Sequence, residues 1–277
     1  MSLIVAGSRF LITGAAMGMG RLYAERAVAE GASVVVLWDV NKKALDQTVR
    51  ELSTHAAAGV IVDGMVVDLS KREAIEKAAA VVIAQHGSID VLINNAGMVR
   101  GGVFWQHDNA AHTEATMMVN TVAPMVTTHE FLPGMMASRR ECRIVNIASA
   151  AGLISNPKMS VYAASKWALI GWGDSVRLEL KREGYGNVRV TTVMPSYIST
   201  GMFDGVRAPM MTAVMTPEYV VSRVWKAMRS GRPMLMLPWT VHLSKVLKGL
   251  LPQRAFDAIA DKIFNVYSTM DNFRGRK

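Results

Sequence analysis

The amino-acid sequence predicts an α/β fold, a doubly wound parallel sheet of about seven strands with helices on both faces. Three observations carry that expectation. Short β-branched runs alternate with longer segments of helical periodicity, a glycine-rich run joins the first strand to the first helix, and no linker or charge block divides the 277 residues. Alternation at this cadence calls for right-handed crossovers and places ligands at the carboxyl ends of the strands.

The elements follow in order. Strands are expected at residues 10–13, 33–37, 64–67, 89–93, 143–148 and 188–194, with a seventh short strand at 234–237. Between them, residues 21–29, 42–53, 71–85, 114–136 and 160–182 have the length and apolar spacing of helices. With 51% hydrophobic and 19% charged residues, the chain can bury a full core, so 1–277 reads as a single domain.

Composition also excludes several classes. The single cysteine, Cys142, cannot form an internal disulfide, and its apolar neighbours suit core packing; a reducing, cytoplasmic location is expected. Only eight residues precede the first strand, too few for a secretory signal, and no apolar run of about 18 residues suits a spanning helix. His55, His86, His107, His112, His129 and His242 form no ligand cluster with the cysteine or with close carboxylates, so no metal is expected. Residues 201–277 hold 12 lysines and arginines against 5 acidic residues, +7 of the net +9, yet no nucleic-acid module accompanies that charge.

The first strand runs into Thr13-Gly14-Ala15-Ala16-Met17-Gly18-Met19-Gly20 and then a helix, the context of a phosphate-binding loop. Gly14 allows the tight turn, Gly18 the approach of a pyrophosphate, and Gly20 close packing of helix on strand. About 20 residues on, the second strand ends at Asp39, where a carboxylate can accept from an adenosine ribose and repel a 2′-phosphate. The alternative for Asp39 is a helix cap, a task Asn41 could share. Met17 in the loop, and the lack of an arginine directly after Asp39, favour NAD over NADP.

Ser149 precedes Tyr162 by 13 residues, and Lys166 lies one helical turn beyond it. An ammonium at that spacing favours a phenolate, and a serine hydroxyl can hold a substrate oxygen beside it. A Tyr-x-x-x-Lys pair alone is also a common surface contact, and the glycine loop is what turns the balance toward catalysis.

With these motifs in this order, the first 200 residues or so resemble the short-chain dehydrogenase/reductase family, which implies a Rossmann-like fold and hydride chemistry on a carbon–oxygen bond. Residues 13–20 resemble its TGxxxGxG loop, with Met17 and Met19 replacing the commoner residues. Asp68 is similar to its adenine contact, and Asn94, Asn95, Ala96 and Gly97 to its NNAG motif. Pro195, Ile198 and Thr200 resemble its PGxxxT element, with Ser196 in place of glycine.

The resemblance implies a tetrad of Asn120, Ser149, Tyr162 and Lys166. Tyr162 is the general acid/base, Ser149 orients the substrate, Lys166 lowers the tyrosine pKa and holds the ribose, and Asn120 relays protons. It also places a substrate lid at 196–216, so Met202, Met210 and Met211 are expected at the substrate along with Ser149 and Tyr162. The family further implies a homodimer or homotetramer through the helices at 114–136 and 160–182.

The run Leu37-Trp38-Asp39-Val40-Asn41-Lys42 and the character of the tail resemble the retinol dehydrogenase and 17β-hydroxysteroid dehydrogenase-like branch. A steroid- or retinoid-like lipophilic alcohol is therefore expected as substrate. The alternatives are a 3-oxoacyl-thioester or other carbonyl reductase and, from another class, a dinucleotide-sensing binding protein. In the extension at 238–277, Trp239, Leu243, Val246, Leu247, Leu250 and Leu251 recur at helical spacing with Lys245 and Lys248 between them. Such a basic amphipathic segment suits a peripheral membrane contact, or packing on protein.

Overall fold

The computed structural model describes residues 2–210 and 212–275. Seven strands, all parallel, form one sheet in the order β3-β2-β1-β4-β5-β6-β7. They are β1 (Arg9–Thr13), β2 (Val34–Asp39), β3 (Ile61–Val66), β4 (Val91–Asn94), β5 (Cys142–Ile147), β6 (Val188–Pro195) and β7 (Met234–Leu237).

Side chains alternate across the sheet and divide the core in two. On one face Phe10, Ile12, Val35 and Leu37 pack with α1 (Gly18–Ala29), α2 (Lys42–His55) and, further along the chain, a helix at Pro217–Ser230. On the other, Leu11, Val34, Val36 and Trp38 meet α3 (Arg72–His86), with Phe131 and Leu180 contributed by two later helices. The expected doubly wound architecture is present.

Three elements differ from the sequence expectation. Strand β3 begins at Ile61 rather than 64, because it is an edge strand whose polar, half-exposed Asp63 breaks the apolar signal. The expected continuous helix at 114–136 is interrupted. A π-helical turn at Asn109–Glu114 leads into it, and the span itself divides into a short α4 (Ala115–Met117), a second π turn at Met118–Val122 and α5 (Ala123–Ala137). Single π turns of this kind frequently occur at functional sites.

The third difference is α7 (Pro217–Ser230), absent from the expected helices although Val220, Val221, Val224, Trp225 and Met228 recur on one buried face at helical spacing. Its ends carry a signal as well: Thr216 caps the Tyr219 N–H at 3.2 Å, Pro217 opens the first turn, and Gly231 closes it at φ 68°. Helix α6 (Ser160–Arg182) occupies the expected span, and α8 (Trp239–Leu250) and α9 (Gln253–Lys262) are the last described helices, followed by irregular chain.

The strand order reverses between β1 and β4, so a crevice opens where their carboxyl ends diverge. Thr13 and Asn95 clamp this point. The Thr13 hydroxyl accepts from the N–H groups of Asn95 and Ala96, both at 3.1 Å. The Asn95 amide donates to the carbonyls of Thr13 (3.0 Å) and Gly14 (3.1 Å).

Candidate active site

At the switch point, Gly14 and Gly18 both adopt positive φ, 64° and 57°, which L side chains rarely take. A side chain at Gly20 would run into the Gly14 carbonyl and the Asn95 amide, so α1 can approach β1 only with glycine there. Met17 precedes α1 at its N-cap without a side-chain cap, leaving the first N–H groups of the helix for an anion.

Asp39, at the end of β2, accepts from Ala16 N–H (3.0 Å) through one oxygen and from Asn41 N–H (2.9 Å) through the other. The cap of α2 is Asn41, which accepts from Ala44 N–H at 3.1 Å. Asp39 is therefore free of capping and faces the cleft, with lone pairs to spare for ribose hydroxyls. Asp68 shares this cleft; hydrogen bonds from Ser70 hold its carboxyl below the usual range against an opposing effect of burial.

Gly14, Met17, Gly18, Asn95, Ala96 and Gly97 line the same cleft. It continues into a second cavity walled by Ser149, Tyr162, Lys166, Pro195 and Ile198; Met19, Asn95, Gly97, Thr200 and Met202 border both. This groove, with its uncapped helix start, its glycines and an acidic group at its far end, fits an extended dinucleotide.

Tyr162 and Lys166 lie one turn apart on α6, both only 4% exposed. Burial pushes the Tyr162 phenol up to about 12, opposed by the neighbouring Ser149 hydroxyl. Burial likewise pulls the Lys166 ammonium down to about 8. The Lys166 ammonium donates to the Ile147 carbonyl at 2.9 Å and lies 5.7 Å from the centre of the Tyr162 ring.

Ser149 opens a 3₁₀ turn, Ala150–Gly152, and its hydroxyl accepts from Ala151 N–H at 3.1 Å. Asn120 sits in the second π turn, fully buried. Its amide accepts from Met98 N–H (2.8 Å) and donates to Met98 O (2.9 Å) and Ser165 Oγ (3.0 Å). A regular helix through this segment would point the residue elsewhere, so the π turn aims it.

The segment after β6 folds back on itself: Ile198 pairs with Met215, and Met215 N–H donates to Tyr197 O at 3.0 Å. Beneath it lies an apolar cavity walled by Ile154, Met210, Trp239, Leu243, Leu247 and Phe264. Ser149 and Ser196 border both this cavity and the one holding Tyr162. Of the five expected substrate residues, Ser149, Tyr162 and Met202 line the cavity that continues the dinucleotide groove, Met210 lines the apolar cavity, and Met211 lies outside the described residues.

Other wall residues escaped the sequence reading. Tyr197 and Thr269 hydroxyls meet at 2.8 Å, and the Asn156 amide donates to both, at 3.1 and 2.8 Å. Phe203 packs edge-on against Tyr162 at 5.9 Å, and Met270 joins the same cluster. Nothing local marks these positions, because residues from three distant segments meet only in the folded chain.

Residues 8–210 match the family described as short chain dehydrogenase. Among curated relatives, epidermal retinol dehydrogenase 2 of Mus musculus is 36% identical over 99% of this chain and 87% of its own length. Estradiol 17-beta-dehydrogenase 11 of Pongo abelii is 34% identical over 98% and 88%. A short-chain dehydrogenase/reductase from Burkholderia phymatum, solved in complex with NAD, superposes with a TM-score of 0.80 at 25% identity, covering 89% of this chain and 94% of its own. Sequence, fold and the grouping of Ser149, Tyr162 and Lys166 beside a dinucleotide-shaped groove agree: the chain belongs to the short-chain dehydrogenase family of oxidoreductases, which act on CH–OH groups.

Proposed function

We propose that this protein is an NAD-dependent dehydrogenase interconverting a lipophilic alcohol, steroid- or retinoid-like, and its carbonyl. One observation carries the reading: Ser149 is shared by the dinucleotide groove and the apolar cavity, so a substrate oxygen held by it lies at their junction. The relatives named as retinol and estradiol dehydrogenases support the substrate class.

NAD is favoured by Asp39, pinned by two backbone donors inside the cleft. Two flanking cations are occupied: Arg21 pairs with Glu25 (2.8 Å) and Glu51 (2.7 Å), and Lys42 with Asp46 (2.8 Å). None of these is released to a 2′-phosphate without breaking an ion pair.

When bound, the dinucleotide supplies a hydride acceptor or donor at C4 of its nicotinamide. Tyr162 takes the hydroxyl proton as the alcohol is oxidised and returns it when the carbonyl is reduced. Ser149 donates to the substrate oxygen and stabilises charge developing there. Lys166 stabilises the phenolate and binds ribose hydroxyls, and Asn120, held between Met98 and Ser165, orders a proton path to solvent.

In this reading the whole chain acts as one domain, residues 196–216 form the lid, and the tail at 238–277 closes the substrate cavity. Exposed Trp239, Val246 and Leu250, with Lys245 beside them, suit a peripheral contact of this cytoplasmic protein with a membrane. Leu132, Trp172 and Val176 line a surface groove between α5 and α6 that suits a homodimer or homotetramer. No described helix is long and apolar enough to cross a membrane.

The deciding experiment is steady-state turnover of all-trans-retinol, estradiol and propan-2-ol with NAD and NADP. Preference for the large alcohols with NAD is expected. Turnover of propan-2-ol alone would remove the lipophilic reading, and turnover with NADP alone would remove the Asp39 reading.

A further inference from the structure

The lysines of the tail do not all face solvent. On α8, Lys245 is exposed, but Lys248 turns inward and donates to the Leu153 carbonyl at 2.9 Å. Its ammonium also lies 4.2 Å from the centre of the Trp167 ring. These two partners bracket the catalytic residues. Leu153 ends the turn that Ser149 opens, its N–H donating to Ala150 O at 2.9 Å. Trp167 follows Lys166 directly on α6.

Gly152 shows how tightly the turn is held. A Cβ there would lie 2.8 Å from the Lys166 carbonyl, so the turn rests on the backbone of α6 on one side. Lys248 holds it from the other. One residue before Lys248 on α8 is Leu247, and with Leu243 and Trp239 at four-residue spacing it forms a continuous wall of the apolar cavity. Lys248 links the helix to the catalytic turn by a charge-assisted hydrogen bond to Leu153 and to α6 by a cation–π contact with Trp167, both partly desolvated.

We propose that Lys248 is a positioning residue that seats α8 against the Ser149 turn, so that the Trp239–Leu243–Leu247 row serves as the specificity wall for the apolar body of the substrate. This rests on the lipophilic-alcohol reading above. Lys248 belongs to the active-site architecture and not to the membrane-facing charge of the tail. The wall grips long substrates and is out of reach of short ones, so the effect of Lys248 falls on KM of the former.

The test compares the wild type with Lys248→Met, Lys248→Arg and Trp167→Leu, using dodecan-2-ol and propan-2-ol with NAD and liposome co-sedimentation. Loss of a charged hydrogen bond in this setting raises KM for dodecan-2-ol about tenfold in Lys248→Met. KM for propan-2-ol and for NAD stays within about twofold, since neither ligand reaches the wall. Lys248→Arg recovers most of the loss, and liposome binding is unaltered in all variants. Unchanged KM for dodecan-2-ol overturns the proposal, as does an equal loss on both alcohols that Lys248→Arg does not recover.

If Lys248→Met does not fold, Trp167→Leu is judged by the same criteria. If the wild type turns over neither alcohol, the same comparison is made with the large alcohol that it does turn over, and a wild type that turns over no large alcohol removes the substrate reading alone. Lys248 is then judged by hydrogen exchange: faster exchange of residues 149–156 in Lys248→Met, reversed in Lys248→Arg, sustains the positioning role, and unchanged exchange overturns it.

Discussion

Replacing Asp39 by asparagine isolates the charge at the far end of the dinucleotide groove. Both carboxylate oxygens are held by backbone donors, Ala16 N–H at 3.0 Å and Asn41 N–H at 2.9 Å, so the group cannot swing away from a 2′-phosphate. Two unit charges 4 Å apart repel by about 4 kcal/mol at an effective dielectric of 20, and half-exposure of Asp39 reduces this to about 2 kcal/mol. Asp39→Asn therefore lowers KM for NADP about 30-fold. The same change weakens hydrogen bonds to the NAD ribose, by about 1 kcal/mol, raising KM for NAD about fivefold. Initial rates against each dinucleotide, at saturating alcohol, give both numbers. An NADP-to-NAD ratio of KM values that moves by less than twofold would refute the assignment of Asp39, because a charge facing the ribose cannot be neutralised silently.

Tyr162→Phe removes the proton-transferring group while keeping the ring against Phe203, so kcat falls about 10³-fold with NAD affinity retained, measured by stopped-flow and by NADH fluorescence. Lys166 is depressed to about 8 from 10.5, so the folded state binds fewer protons than the unfolded one between those values and its stability rises with pH across them. The difference in Tm between Lys166→Met and the wild type consequently shrinks from pH 8 to pH 10.5, followed by calorimetry; a constant difference contradicts the burial of a charge. Arg143, with no exposed surface, donates to Met228 O at 2.9 Å and pairs with Glu141 at 2.9 Å. Arg143→Met orphans the end of α7 and costs about 3 kcal/mol in urea denaturation, with kcat unchanged. Thr269→Ala breaks the contacts to Tyr197 and Asn156 and raises KM for a lipophilic alcohol about fivefold, with kcat little altered.

Much of the fold was legible because its signals are local. The apolar strand runs, the glycine loop and the Tyr162–Lys166 spacing each involve residues within one or two turns of one another, and α6 occupies the expected 160–182. Helix α7 lies outside the expected elements although its caps at Thr216 and Gly231 and its apolar face from Val220 to Met228 are both local signals. The helix expected at 114–136 concealed a π turn at Met118–Val122, since an inserted residue leaves the composition helical while changing the direction of the side chains.

By itself the sequence determined the parallel sheet, the dinucleotide loop and the residues available for proton transfer, because backbone preference and short-range spacing encode them. Only the tertiary structure decided that Asn41 and not Asp39 caps α2, that Asn120 turns toward Met98 and Ser165, and that Lys248 points at Leu153. It alone assembled the substrate wall, whose residues run from Asn156 through Tyr197 to Phe264 and Val266. These outcomes depend on which of several possible partners lies nearest once the two core layers have packed, and a contact between segments a hundred residues apart leaves no periodicity in the chain.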